Sequence, residues 1–500
     1  MKKLSALLGF DPVKKETTVR RELMAGVVTF LAMAYILTVN PTQIFGPSSP
    51  YWASAFIATA LGAVIGTLLM AFLAKMPLAQ ASSMGLNSMI GGIISGVGGY
   101  GVFSPGQAFF LVLISGFVFL GLSVIRIKGK TFRELAFDGM PVSIRGAISV
   151  GIGLFIAYIG FQNAGIIIFD PYHQVGFVDF TNWGEQIVNA GLDGFAAAKT
   201  AAVALIGLFV IATLEKINVR GSIIFGVLTA TVIGIPLGVT DLSILAGEGA
   251  VSWKFWENFA NFFGGEASVF GSFASVFKEG IIPEDVSVFT LIMIVITMCM
   301  IDMFDTMGTI VGCCGGNRIL SDENNKPHNY DKIMLADALA TCAGAVLGTS
   351  TVTTFVESGS GVSAGGRTGL TALSTATLFF LSMFMLPVFA AIPSAAAASA
   401  LIYVGVLMMK GNIKSIDFTT TINATSAFLT IVTMVLSYSI TTGIGVGLIS
   451  YVVMSALSYL AELIISLIKK TEKPEWKVSA VAIIVTALFV IYFFVPASLF

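Results

Sequence analysis

Charged side chains are scarce in this chain of 500 residues, since they make up only 11% of it. A soluble globular protein carries about 25%. Hydrophobic residues account for 56% of the chain instead. An ordinary globular core does not need this much apolar material, but a bilayer does, because each helix that crosses it needs about 20 mostly apolar residues. The composition therefore predicts a polytopic membrane protein.

Excess positive charge is absent, histidine and cysteine are scarce, and these shortages exclude several classes of function. The formal net charge is −1, so no basic surface predicts nucleic-acid binding. The four cysteines and two histidines have no spacing typical of a metal site. Both histidines, His173 and His328, fall in predicted loops. The sequence shows no nucleophile beside a potential base near one membrane face, so it does not predict an enzyme. We expect neither a metal nor an organic cofactor.

The apolar runs predict fourteen membrane segments. Residues 1–23 contain six basic side chains but no apolar stretch followed by a cleavage site, so we expect a cytoplasmic segment rather than a signal peptide. A further apolar stretch at 477–496 follows three lysines, and the sequence leaves open whether it spans the membrane. The fourteen segments lie at about 24–45, 52–74, 83–98, 105–126, 141–161, 199–214, 221–240, 288–313, 331–348, 355–365, 366–391, 394–409, 418–436 and 440–468.

The distribution of charge orients these segments. Lysine and arginine collect in cytoplasmic loops. With the N-terminus inside, the inner loops contain most of the basic residues, and the short outer loops at 46–51, 99–104 and 437–439 carry no charge. Two long outer loops, 162–198 and 241–287, are mainly acidic. We therefore predict a multi-pass protein of the plasma membrane with a cytoplasmic N-terminus.

Two similar stretches predict an internal repeat. Residues 149–166 read SVGIGLFIAYIGFQNAGI, and residues 399–413 read SALIYVGVLMMKGNI. They are the fifth and twelfth segments, so each half contains seven segments and the halves run in opposite directions. Such repeats are typical of alternating-access transporters. We predict an all-α fold of two inverted repeats, 24–285 and 286–468, followed by a basic and apolar tail at 469–500.

The third and tenth segments are short and interrupted. The third opens AQASSMGLNS at 79–88, and the tenth opens GTSTVTTFVESGSG at 348–361. We predict a few residues of extended chain in each, followed by a helix that begins at mid-membrane. Irregular backbone is tolerated at that depth only where it is buried in protein or lines a cavity. Two such helix N-termini would direct their N–H groups into one polar pocket. The alternative is that both are Gly-rich packing helices.

Three carboxylates within the membrane segments are functional candidates, because a carboxylate there is costly unless it is paired or hydrated. Asp302 and Asp305 lie in the eighth segment, and Glu357 lies just past the extended part of the tenth. Their spacing allows Asp302 and Asp305 to face one side of a helix. Glu357 meets that face if the eighth and tenth segments pack together. We expect the cluster to hold a proton, which predicts proton-coupled symport. Structural hydrogen bonds between helices are the alternative.

Further polar residues complete the predicted site. Asn87 follows the extended part of the third segment, opposite Glu357 in the repeat. Its amide offers donors and an acceptor, which suits the edge of a purine. Ser358, which follows Glu357 in the sequence, is a further candidate for binding the substrate. We interpret Asp337 as structural, and we expect Arg367 to pair with a carboxylate or to extend to the cytoplasmic surface.

Four stretches of the sequence are distinctive. They are TTVRRELMAGVVTFLAMAYILTVNP at 17–41, MGLNS at 84–88, DMFDTMGT at 302–309 and LADALATCAGAVLGTSTVTTFVESGSGVSAGGRTGLTAL at 335–373. In these stretches the sequence resembles the azaguanine-like branch of the nucleobase–cation symporters, which includes bacterial hypoxanthine, guanine and adenine permeases and their fungal counterparts. The resemblance runs nearly from end to end. The third segment departs from the family, because SSMGLNSMIG lacks the proline and the paired aromatics of PGMGLNAFFA, and this allows a different purine or a related heterocycle.

The resemblance implies a core domain of segments one to four and eight to eleven, and a gate domain of the other six, with substrate bound between them. It also implies a purine site at Asn87, Asp302 and Glu357. We therefore predict proton-coupled import of a purine base, hypoxanthine or guanine first and adenine second. The bilayer is the other partner, and the sequence allows a homodimer. Alternatives are a uracil/xanthine-type permease, an anion exchanger on the same scaffold, and a membrane enzyme or receptor.

Overall fold

The computed structural model is mainly helical, and its helices follow the predicted segments closely. It describes residues 7–11, 13–47, 49–96, 102–127, 130–131, 140–168, 175–181, 197–219, 221–243, 252–281, 283, 286–314, 319–321, 327–469, 472, 474–476 and 478–494.

The helices divide between the two predicted halves of the chain. The helices before residue 285 are α1 (Val19–Met33), α2 (Ile36–Phe45), α3 (Trp52–Leu69), α4 (Met84–Ser95), α5 (Pro105–Val124), α6 (Val142–Asn163), α7 (Ala197–Lys216), α8 (Ser222–Gly234), α9 (Phe255–Gly264) and α10 (Val269–Glu279). Those after it are α11 (Val288–Cys314), α12 (Tyr330–Leu347), α13 (Ser358–Ser363), α14 (Gly369–Ser382), α15 (Leu386–Ala390), α16 (Ser394–Asn412), α17 (Thr421–Leu436), α18 (Ile440–Lys469) and α19 (Ala480–Phe494).

The long apolar helices agree with the predicted membrane segments. In the part of the chain that the structure describes, nine helical stretches are long and apolar enough to cross a bilayer. They begin with Val19–Phe45, which joins α1 to α2, and end with Ile440–Lys469. The other five predicted segments correspond to the helices α4, α8, α12, α13 and α17. The prediction of a polytopic all-α membrane fold is therefore confirmed.

Among the described residues, three short antiparallel strand pairs interrupt the helices. β1 (Gln80–Ser82) pairs with β6 (Val352–Thr354), so that Gln80 lies opposite Thr354. β2 (Arg126–Ile127) pairs with β3 (Lys130–Thr131), and β4 (Ile167–Ile168) pairs with β5 (Gly176–Phe177). β1 and β6 are buried and precede α4 and α13. The extended stretches predicted in the third and tenth segments are therefore present, and they pair because each satisfies the other's backbone groups where water is scarce.

The contacts divide the membrane helices into two groups. In the first, which we call the core group, α14 packs on α1 and α3, and α12 packs on α3 and α5 around the β1–β6 pair. In the second, the gate group, α6 packs on α16 and α17, α7 packs on α8 and α16, and α17 packs on α18. The cavity described below lies between the two groups.

Glycine allows α6 and α16 to approach closely. A Cβ atom added to Gly405 would lie 2.4 Å from the carbonyl oxygen of Gly153 and 2.7 Å from the Cβ of Ala157. Small residues permit such close contact between helices in lipid, where packing replaces the hydrophobic effect as the driving force. The two stretches that the sequence pairs as repeats therefore form the central contact of the gate group.

Gly405→Ala is expected to lower the melting temperature of the purified protein, because overpacking a tight contact costs about 1–3 kcal/mol. Differential scanning fluorimetry in detergent measures the effect. Gly121→Ala in α5 is the matched control, since a Cβ there meets nothing within 4 Å. Its melting temperature should stay the same or rise slightly, because alanine favours helix. Equal loss in both variants would contradict the assigned contact.

The predicted outer loop at 241–287 contains two helices among its described residues. α9 and α10 lie within it, with α9 against α3 and α10 against α5. Phe255, Phe259 and Phe262 recur at helical spacing and supply an apolar face. The sequence predicts no membrane segment here, because both helices are too short to cross a bilayer. The residues 169–174, 182–196 and 244–251 of the two long loops, including His173, lie outside the described part of the chain.

The apolar tail forms α19, which has 15 residues. At about 1.5 Å per residue it is shorter than a hydrocarbon core of about 30 Å. It packs along α18 and also contacts α11. The buried Phe489 lies with Phe493 beside Gly445 of α18. The tail therefore contacts one helix of the gate group and one of the segments assigned to the core domain.

Candidate functional site

The β1–β6 pair determines where the two half-helices begin. The backbone N–H of Ser83, the N-cap of α4, donates to the carbonyl oxygen of Thr351 at 2.9 Å. Across the pair, the backbone N–H of Ala79 donates to Oγ of Ser358 at 3.0 Å. Each helix start is thus tied to the opposite strand. Ser358, one of the predicted site residues, is buried and links the two half-helices.

A cavity lies at these helix starts, between the core group and the gate group. Its volume is about 90 Å³, so in this conformation it is narrower than the usual small-molecule pocket of about 300–1,000 Å³. The core side and α11 contribute Met84, Gly85, Ile301, Asp305, Thr309, Thr354, Phe355, Val356 and Glu357. The gate side contributes Ser149, Ile152, Ile156, Val404, Leu407, Met408, Gly411 and Asn412.

Two carboxyl groups lie on the wall of this otherwise largely apolar cavity. Glu357 is only 5% exposed and is the N-cap residue of α13. Asp305 comes from α11, and its Oδ2 accepts a hydrogen bond from Oγ of Ser83 at 3.0 Å. None of the described lining residues is basic. The cavity therefore offers acceptors or protonated carboxyls, and it lacks a fixed positive charge in its described wall.

Tyr35 holds the carboxyl group of Glu357. The first membrane segment is interrupted at Ala34 and Tyr35, between α1 and α2, which places the buried Tyr35 ring beside both half-helices. Its hydroxyl donates to Oε1 of Glu357 at 2.7 Å and lies 3.6 Å from Sδ of Met84. Oε2 of Glu357 has no hydrogen-bond partner in the described part of the chain. Tyr35 was not among the residues predicted from the sequence. A tyrosine in an apolar segment could have indicated it, because a buried hydroxyl needs a hydrogen-bond partner.

Asp302 and Asp305 face different neighbours, contrary to the expectation that they share one side of the helix. Two side chains three residues apart on an α-helix point in directions that differ by roughly 60°. This difference places Asp302 and Asp305 against different neighbours. Oδ2 of Asp302 accepts from Oγ1 of Thr341 on α12 at 3.3 Å. One turn along, Oγ1 of Thr306 donates to Oδ1 of Asp337 at 2.9 Å. The two helices therefore exchange aspartate–threonine bonds, and Asp302 is not among the residues that line the cavity.

Asn87 lies on α4 and is not among the described residues that line the cavity. It is fully buried, and its Oδ1 accepts from Oγ of Ser350. Its Nδ2 lies 3.4 Å from Oε1 of Gln43. The structure brings Asp305 and Glu357 together at the cavity, and it places Asn87 and Asp302 in the layer behind them. Gln80, which was not singled out from the sequence, donates from Nε2 to Oδ1 of Asp337 at 3.1 Å in that layer.

Arg367 is partly exposed and also bonds to backbone carbonyl groups. Its Nη1 donates to the carbonyl oxygens of Val362 and Gly366 at 2.6 and 2.7 Å, at the end of α13. Its backbone N–H donates to Oε1 of Glu22 at 3.0 Å. Glu22 is fully buried and also accepts from Oγ1 of Thr371 at 2.6 Å. These bonds join the start of α1 to the loop that follows α13.

A polytopic helical fold with a carboxyl-bearing cavity between two helix groups is that of a membrane transporter. The chain belongs to the Permease family, whose model matches residues 20–446. Helix α19 lies beyond this matched span. The family assignment also means that the protein is not an enzyme, which agrees with the expectation from the sequence.

Curated relatives resemble almost the whole chain. It is 34% identical to the putative permease MJ0326 of Methanocaldococcus jannaschii, over 90% of this chain and 92% of the relative. It is 33% identical to the guanine/hypoxanthine permease PbuO of Bacillus subtilis, over 89% of this chain and 94% of the relative. It is 32% identical to the adenine permease AdeP of Escherichia coli, over 88% of this chain and 87% of the relative.

Solved structures with the same fold are distant in sequence. The transmembrane domain of the cyanobacterial bicarbonate transporter BicA matches 84% of this chain and 96% of its own, with a TM-score of 0.53 and 14% identity. SLC26A9 matches 92% of this chain and 69% of its own, with a TM-score of 0.54 and 10% identity. These likenesses confirm the fold of two inverted seven-segment repeats and carry no argument about substrate.

Proposed function

We propose that this permease imports a purine base together with a proton, with guanine or hypoxanthine preferred and adenine second. The observation that carries the proposal is the pair of carboxyl groups, Asp305 and Glu357, on one wall of the cavity between the core and gate groups. The names of the relatives PbuO and AdeP support a purine substrate. A nucleobase is flat, mostly apolar on its faces and rich in N–H donors on its edge, and the cavity offers matching surfaces.

Base recognition would depend on hydrogen-bond complementarity. A lactam purine presents N1–H as a donor, and guanine adds its exocyclic amino group. An ionised carboxylate only accepts, and its bonds to such donors are stronger than bonds between neutral groups. Oε2 of Glu357 belongs to the cavity wall and has no hydrogen-bond partner among the described residues, so it is available as an acceptor. Ile152, Ile301 and Phe355 would cover the ring faces. The N–H groups in the first turn of α4, which have no partner within the helix, would reach the purine's acceptors.

Proton coupling is proposed for the carboxyl groups of Asp302, Asp305 and Glu357. A buried carboxylate without a cation beside it is costly, so a proton is its natural compensating charge. Asp305 and Glu357 share the cavity wall. Asp302 lies on the neighbouring face of α11, where the hydroxyl of Thr341 is its partner. A proton on one of these groups would neutralise the site when substrate enters.

Alternating access is supported by the position of the cavity. Its gate-side lining includes Met408, Gly411 and Asn412, at the end of α16. The charge distribution predicts that this end of the helix lies at the cytoplasmic face of the membrane. Toward the opposite face, Phe155 of α6 packs edge-on against Tyr438, with 5.2 Å between ring centroids. We propose that this aromatic contact closes the outer path, and that the gate group moves against the core group to open it.

Competition for uptake tests the proposed function. Cells that produce the permease take up radiolabelled hypoxanthine in the presence of unlabelled bases, with and without a protonophore, and cells with empty vector give the background. We expect guanine and hypoxanthine to compete best, adenine less well, and the protonophore to abolish accumulation. Strongest competition by uracil or xanthine would favour the alternative nucleobase class. Accumulation that needs sodium and survives the protonophore would contradict proton coupling.

Competition for uptake in the same cells also tests the alternative that the protein is an anion exchanger. The scaffold is shared with BicA and SLC26A9, but the described wall of the cavity contains acidic and no basic side chains. Carboxylates repel an anionic substrate, so bicarbonate or sulfate should not compete with hypoxanthine. Competition by either anion at concentrations near those of the bases would favour the exchanger.

A further inference from the structure

Tyr35 occupies the point where the two half-helices begin. Its side chain is buried, and its hydroxyl contacts Glu357 at the start of α13 and Met84 at the start of α4. No other hydrogen-bond partner of this hydroxyl occurs among the described residues. The bond to Glu357 is the shorter of the two, at 2.7 Å against 3.6 Å to Sδ of Met84, so the hydroxyl acts mainly on the site carboxylate.

We propose that Tyr35 is a positioning residue that sets the selectivity of the site for lactam purines over adenine. Its O–H donates to Oε1 of Glu357, and a donor stabilises a carboxylate as an acceptor. The bond also fixes the orientation of the carboxylate, so that Oε2 is the oxygen presented to the base. This inference rests on the proposed function.

The selectivity follows from the two purine edges. Guanine and hypoxanthine carry a hydrogen on N1, whereas N1 of adenine is an acceptor. An acceptor carboxylate therefore binds N1–H of the lactam purines and repels the N1 lone pair of adenine. Without the tyrosine hydroxyl, Glu357 is freer to turn and to carry a proton, and a protonated carboxyl donates to N1 of adenine. Tyr35 thus favours the lactam purines, because it keeps the carboxylate of Glu357 as a hydrogen-bond acceptor.

Tyr35→Phe tests the inference, because it keeps the buried ring and removes only the hydroxyl. Initial rates of uptake give KM and Vmax for hypoxanthine and for adenine. We expect KM for hypoxanthine to rise about tenfold, the effect of losing one hydrogen bond to a charged group. Vmax should change little, and the KM for adenine should stay the same or fall, so the preference for hypoxanthine falls by at least the same factor. A merely structural role would reduce transport of both bases together.

Tyr51→Phe is the matched control, since Tyr51 stacks on Phe45 with 5.1 Å between ring centroids and does not line the cavity. It should leave both KM values unchanged. Membrane level and elution profile in detergent show whether each variant is folded. An unchanged hypoxanthine preference in folded Tyr35→Phe would overturn the inference, as would an equal loss for both bases.

A second measurement uses the unaltered protein and does not depend on the folding of a variant. 1-Methylhypoxanthine lacks the N1–H donor, so it should compete at least about tenfold more weakly than hypoxanthine. Equal competition would overturn the inference, because Glu357 would then not be reading N1–H. If the unaltered protein imports no purine at all, the proposed function itself fails. If it imports hypoxanthine but Tyr35→Phe keeps the selectivity, only the role of Tyr35 fails.

Discussion

Glu357→Gln is expected to reduce purine uptake by about a hundredfold, which in most assays is indistinguishable from background. Glutamine keeps the size of the side chain and an oxygen for the hydroxyl of Tyr35, whose present bond is 2.7 Å long. It replaces the second oxygen with an NH₂ donor that faces the N1–H donor of a lactam purine. Loss of a charge-assisted bond, together with two facing donors, costs roughly 3 kcal/mol, which corresponds to about a hundredfold in affinity.

The measurement is the initial rate of radiolabelled hypoxanthine uptake, normalised to permease in the membrane fraction. Glu462→Gln is the matched control, because Glu462 lies exposed on α18, and its described partner is Ser458 of the same helix. The control should transport at the normal rate. Normal uptake by Glu357→Gln at a normal membrane level would remove Glu357 from the site and, with it, the main support for the proposed mode of base recognition.

Asp305→Asn and Asp302→Asn are both expected to abolish accumulation of the base, but for different reasons. Asp305 lines the cavity, so its variant should also bind hypoxanthine at least about tenfold more weakly, the effect of losing a charged hydrogen-bonding group. Asp302 lies behind the wall, where Thr341 donates to it. Its variant should therefore keep near-normal binding and lose only the proton-driven step.

Binding of hypoxanthine to the purified proteins in detergent separates the two roles, and uptake in cells gives the coupled activity. Loss of binding in Asp302→Asn would place this carboxylate in contact with the base, as the resemblance to purine permeases implies. Full accumulation in either variant would exclude that residue from both binding and proton coupling. Both aspartates have hydroxyl partners, and asparagine can still accept from them, so both variants are expected to fold.

Several parts of the fold were predictable because they depend on local sequence and on the bilayer. The scarcity of charge, the apolar runs and the resemblance predicted the polytopic helical fold and its inverted halves. The polar interruptions at 79–88 and 348–361 predicted short extended stretches, because unpaired backbone in lipid must be satisfied by protein. The candidate site was partly predictable in the same way. A carboxylate such as Glu357 within an apolar segment is costly enough to stand out in a single sequence.

The sequence by itself therefore determined the membrane fold, its two halves and the acidic residues available for function. Only the tertiary structure decided which of them meet. It pairs Gln80 with Thr354 across 274 residues of chain, brings Tyr35 to Glu357, and turns Asp302 and Asp305 to different neighbours. The physical reason is that helix rotation and contacts between distant segments depend on the packing of the whole molecule, whereas hydropathy and helix length are properties of each segment alone.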